Sequence, residues 1–91
     1  VQFAIAIVVT VAGFYFDITK TEWMFQCIAV GMVMSAEGLN TAIEAIADFV
    51  HPDFHQKIGH IKDVAAGAVC IAAFVAIIIG CIIYIPYLQA L

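Results

Sequence analysis

Glu37, Asn40, Glu44 and Asp48 recur every three or four residues along a stretch that is otherwise mostly apolar. At about 100° per residue of an α-helix they project within one stripe about 80° wide, so four polar side chains converge on one place. A carboxylate in a low-dielectric setting has a raised pKa and can serve as a general base, whereas a shallower carboxylate suits Mg²⁺. With Trp23 marking one membrane interface, Glu37 lies about 21 Å along the helix and still within a bilayer, while Glu44 is near the opposite surface. Depth therefore makes Glu37 the base candidate and Glu44 the Mg²⁺ candidate. Asn40, one turn from each, can orient a hydroxyl or a phosphate oxygen, or hydrogen-bond across helices. Glu44 alone does not hold Mg²⁺ securely, so a second acid is expected from Asp48, a neighbouring subunit or an upstream segment. The competing uses are a polar network that holds an oligomer together and, for Asp48, a solvated helix end.

Lys62 and Asp63 are expected where a third helix emerges at the same face as this stripe. The ammonium can neutralise a transferring phosphate or simply snorkel, and Asp63 can act there or merely favour a helix start. His51, His55 and His60 are unevenly spaced and broken by Pro52, which argues for surface or ligand-edge histidines over zinc. Neither a phosphate-binding GxxxxGK[ST] loop nor a protein-kinase signature occurs.

The elements that must position these groups follow from composition. The 91 residues are 66% hydrophobic and 11% charged, with a mean hydropathy of +1.14, against about 45–50% and 25% in water-soluble domains. Such a chain needs lipid to cover it. Seven acids against three lysines, with no arginine, remove the usual footprint of nucleic-acid binding. Cys27, Cys70 and Cys81 lie in apolar runs without CxxC spacing and read as small buried hydrophobes.

Charges fall between uncharged stretches at 1–16, 23–36 and 64–91. The expectation is a single all-α membrane domain over 1–91, with spans at about 1–16, 23–50 and 64–88. Pro86 would close the last span, and His51-Pro52 would stop the second. The first span, short and opening directly on Val1, points to a further segment upstream. Lys57 and Lys62 against Lys20 place the 51–61 connection in the cytoplasm. Small residues at Gly31, Ser35, Gly38 and Ala42, and at Ala68, Ala72, Ala76 and Gly80, form packing faces that predict a homo-oligomer. On the residues alone, a proton or ion conduit using Glu37 and Glu44 stays open beside an enzyme.

The run Ala36-Glu37-Gly38-Leu39-Asn40-Thr41-Ala42-Ile43-Glu44, then Asp48, then His60-Ile61-Lys62-Asp63-Val64-Ala65-Ala66-Gly67-Ala68-Val69, resembles the prokaryotic diacylglycerol kinase family over essentially the whole chain. The resemblance implies a three-span lipid kinase of the bacterial inner membrane that works as a homotrimer with shared sites. Its activity would be transfer of the ATP γ-phosphoryl group to diacylglycerol, with undecaprenol as the alternative acceptor. Glu37 would be the base acting on the lipid hydroxyl, Asn40 a polar member of the same site, and Glu44 the Mg²⁺ ligand. Glu44, Asp53, Phe54, His55, Lys62 and Asp63 would contact the nucleotide, and Trp23 and Ala66, with Glu37, the lipid. The same resemblance implies a surface helix and another metal-binding glutamate upstream of Val1.

Overall fold

The computed structural model describes residues 2–53 and 55–91 and has three helices: α1, Gln2–Phe16; α2, Lys20–Val50; and α3, Gln56–Gln89. β-Branched residues crowd α1, yet it is helical, as expected where no water is present to satisfy an open backbone.

The reversal between α1 and α2 is tightly made. Asp17 adopts the left-handed conformation at φ 51°, the Asp17 N–H donates to the Phe14 carbonyl, and the Ile18 N–H donates to the Gly13 carbonyl. This pair of bonds closes the open carbonyls of a helix end, and it is sealed by Ile18, which is buried. Thr19 then caps α2. Its hydroxyl accepts the Glu22 N–H, while the Glu22 carboxylate accepts the Thr19 N–H.

α2 and α3 run antiparallel and lie against one another along their length. The register is visible in paired side chains: Asp48 with Lys62, Gln26 with Tyr84, Glu22 with Tyr87. Buried positions Ala65 and Ala72 on α3, and Ala29 and Ala47 on α2, are all alanine, which lets the two backbones approach closely. α1 is pinned at its C-terminal half: Trp23 packs on Gly13 and, at 5.0 Å between centroids, on Phe14. Phe16 meets Tyr84 and Tyr87.

Several expectations need adjustment. α2 begins at Lys20 because its capping box lies before Trp23, and α3 begins at Gln56, eight residues before Val64. Lys62 and Asp63 consequently sit within α3, and Asp63 is not a helix-start residue. Pro86 is tolerated inside the last turns, and α3 runs on to Gln89. α3 is long and apolar enough to cross a membrane, whereas α1 is a shorter apolar helix and the acids of α2 lower its apolarity. Of the small residues of α3, Ala72 is buried and Ala76 and Gly80 are half-buried, whereas Ala68 is exposed. Those of α2, Gly31, Ser35, Gly38 and Ala42, are exposed. Cys27, Cys70 and Cys81 are also exposed. In a chain this apolar, lying in an apolar run does not mean facing inward.

Candidate functional site

One face of α2 carries Gln26, Ala29, Val33 and Glu37 at helical spacing, opposite Ala73, Ala76, Gly80 and Tyr84 of α3. With Ile5 and Val9 of α1 these residues enclose a groove of about 370 Å³, open along one side and lined almost wholly by apolar groups. The half-buried Glu37 stands at one end of it.

One turn beyond Glu37, the Asn40 amide nitrogen donates to Glu44 at 3.2 Å. Asn40 thus holds the exposed Glu44 carboxylate along its own helix rather than bonding across helices. Its other polar atom, Oδ1, is buried and has no hydrogen-bond partner among the described residues. A buried amide oxygen in this condition offers an acceptor for an arriving hydroxyl or N–H. One turn further, Asp48 pairs with Lys62 at 2.5 Å across the α2–α3 seam. Asp48 is therefore an ion-pair partner rather than a lone solvated helix end.

The loop between α2 and α3 supplies the remaining polar groups. The His51 Nδ1 lies 2.7 Å from the Asp53 carbonyl, and the His55 ring accepts the Lys57 N–H at 3.1 Å, capping α3. The two imidazole centroids lie 5.1 Å apart with the ring planes tilted by 58°. Asp53 and His55 are exposed, and Phe54 lies outside the described residues. Asp63 is exposed on α3 beside Lys62, and Ala66 is exposed one turn on.

The expected site residues therefore divide by location. Glu37, Asn40, Glu44 and Lys62 lie along one stretch of the α2–α3 seam. Trp23 does not join them, because fourteen residues of helix, about 21 Å, separate it from Glu37. Among the described residues no group of three His, Cys, Asp or Glu side chains gathers around a single point. The donor set still fits Mg²⁺ carried by a nucleotide, since that ion keeps its waters and binds one or two carboxylates plus phosphates. Glu44 is an exposed carboxylate of the kind such an ion takes.

The residues that the sequence does not single out are Gln26 and Tyr84. Gln26 is 6% exposed, donates to the Val9 carbonyl at 3.1 Å, and accepts from the Tyr84 hydroxyl. That hydroxyl also reaches the Val9 carbonyl. An amide interrupting the run from Trp23 to Ala36 was the available signal.

An apolar helical chain whose half-buried carboxylate lines a groove, with a lysine and further acids farther along the seam, falls in the class of membrane lipid kinases, and its relatives bear kinase names. It is 40% identical over 85 residues to the undecaprenol kinase of Bacillus subtilis, covering 93% of this chain and 69% of that protein. It is 36% identical over 69 residues to the diacylglycerol kinase of Escherichia coli K12, covering 76% and 57%. With the diacylglycerol kinase of Synechocystis the identity is 43% over 61 residues, or 66% of this chain and 35% of that one. The family model for prokaryotic diacylglycerol kinase matches residues 1–84, and the chain belongs to that family. No solved structure matches it.

Proposed function

We propose that the protein phosphorylates the hydroxyl of a membrane lipid from ATP, at the cytoplasmic side of the bacterial inner membrane. The observation that carries this reading is Glu37, a half-buried acid at the end of an apolar groove, followed along the seam by Asn40, Glu44 and Lys62. A lipid tail in the groove would bring its hydroxyl to Glu37. The Glu37 carboxylate would take the hydroxyl proton as the oxygen attacks the γ-phosphorus and the bond from that phosphorus to the bridging oxygen breaks, releasing ADP, with the Asn40 amide oxygen accepting from a donor in the same place. Lys62 would leave Asp48 for the phosphate, and Glu44, steadied by Asn40, would hold the nucleotide's Mg²⁺. That ion supplies charge neutralisation to the triphosphate. Asp53, Phe54, His55 and Asp63 would contact the rest of ATP, while Trp23 and Ala66 remain lipid-contact candidates outside the groove.

Diacylglycerol is the proposed acceptor, in keeping with the family and with two of the relatives described. Undecaprenol is the second reading, favoured by the relative that matches 93% of the chain. Three spans per chain and a homotrimer with shared sites complete the proposal. The exposed small residues Gly31 and Gly38, which have nothing within 4 Å of an added Cβ, leave room for another helix.

The test is ATP-dependent labelling of diacylglycerol and undecaprenol, offered separately to the full-length protein in bilayers with Mg²⁺. Label on either lipid supports the kinase and names its acceptor. Label on neither overturns it, and ATP-independent ion flux would then favour the conduit.

A further inference from the structure

The groove that begins at Glu37 ends in a polar knot. Glu37 and Gln26 are eleven residues apart on α2, as are Ala73 and Tyr84 on the antiparallel α3, so both walls run about 16 Å. At the far end Gln26 and Tyr84 bond to each other, and both bond to the Val9 carbonyl of α1. All three helices are joined at this point. Between the two ends the lining is apolar, with Val33, Ala76 and Gly80 facing the gap.

Resting on the lipid-kinase reading, we propose that Gln26 and Tyr84 form a floor that limits the acyl tail length of the diacylglycerol whose hydroxyl reaches Glu37. A tail shorter than the groove leaves unfilled contacts. A tail that reaches the floor fills them. A longer one must part hydrogen bonds in surroundings with no water to replace them, or bend out through the open side and forfeit packing. Lipid is as apolar as the groove, so hydrophobic transfer contributes little and fit decides the preference.

Two variants move the floor in opposite directions. Gln26→Leu combined with Tyr84→Phe removes the knot and leaves an apolar end. Gly80→Val adds bulk partway along the wall, where a Cβ meets nothing within 4 Å and the fold has space for it.

The experiment measures kcat/KM for a graded series of saturated diacylglycerols, and for undecaprenol, with full-length protein in mixed micelles. The native protein should show an optimum length, with about a tenfold fall past it, at the low end of what a pocket exerts over small changes in an apolar group. The double variant should shift the optimum to longer tails, and Gly80→Val to shorter ones. If the double variant does not fold, the Gly80→Val shift decides alone. A native profile without an optimum, an optimum unmoved in the folded variants, or undecaprenol used as well as the best glyceride overturns the floor and leaves the kinase standing. A native protein that labels no lipid overturns both.

Discussion

The Lys62 ammonium lies 2.5 Å from the Asp48 carboxylate, tying α3 to α2 one turn beyond Glu44. The side chains are 37% and 62% exposed, so the pair is worth at most about 1 kcal/mol to stability. A lysine held this lightly can exchange one anion for another. Asp48→Asn should leave the unfolding midpoint within a few degrees of native. Lys62→Ala should lower lipid phosphorylation by about 10²–10³-fold, the usual cost of losing a group that stabilises transition-state charge. Kinetics and thermal unfolding of the two variants, side by side, check both statements.

Glu37→Gln keeps the size and most of the hydrogen-bonding capacity of the side chain and removes its basicity. Turnover should fall about 10²–10⁴-fold, the range that a positioned base contributes. The KM for ATP should change little, because the nucleotide groups lie farther along the seam. Full turnover in this variant would remove Glu37 from the chemistry.

Gly13 faces the indole of Trp23, and a Cβ built there would stand 2.5 Å from the ring. Rigid ring atoms cannot step aside as a flexible chain would. Gly13→Ala should destabilise the reversal between α1 and α2 by about 1–3 kcal/mol, as overpacking typically does. A lowered unfolding midpoint with an altered Trp23 emission spectrum is the signature. The chain has one tryptophan, so that emission reports this place alone.

Glu22 makes the same reversal sensitive to acid. The Tyr87 hydroxyl first, and then the Thr19 N–H, hold its carboxyl below the ordinary carboxylate range. A group whose pKa is lowered by folding contributes stability above its unfolded value, about 4.3 for glutamate, and loses it as pH falls through the folded one. Trp23 emission followed during acidification should change below that value in the native protein. Glu22→Gln should flatten the change, and an identical titration in both proteins would show that Glu22 is not its source.

Much of this arrangement is legible in the sequence because helical periodicity acts locally. Helical spacing alone puts Glu37, Asn40, Glu44 and Asp48 on one stripe, and the structure joins Asn40 to Glu44 and Asp48 to Lys62. The helix boundaries are less legible. A charge reads as the end of a span, yet α3 carries Lys57, Lys62 and Asp63 without interruption, because a backbone ladder does not stop where lipid does. The cysteines mislead for a related reason: beside lipid, an apolar residue is equally at home facing outward. The Gln26–Tyr84–Val9 knot depends on residues up to 75 positions apart, and only the antiparallel register brings them together.

α2 and α3 contain 31 and 34 residues, about 46 and 51 Å of continuous helix, against about 30 Å of hydrocarbon. If the pair stands across a bilayer, some 16 Å or more of it must rise into water, and Lys62 and Asp48 belong to that raised part. The fold is then a pier. On the proposed reading ATP would moor at its head while still fully hydrated, and only the γ-phosphoryl group would need to come down to the lipid surface. A kinase built along these two long helices would thereby bring the most water-loving of substrates to the least without admitting either into the other's solvent.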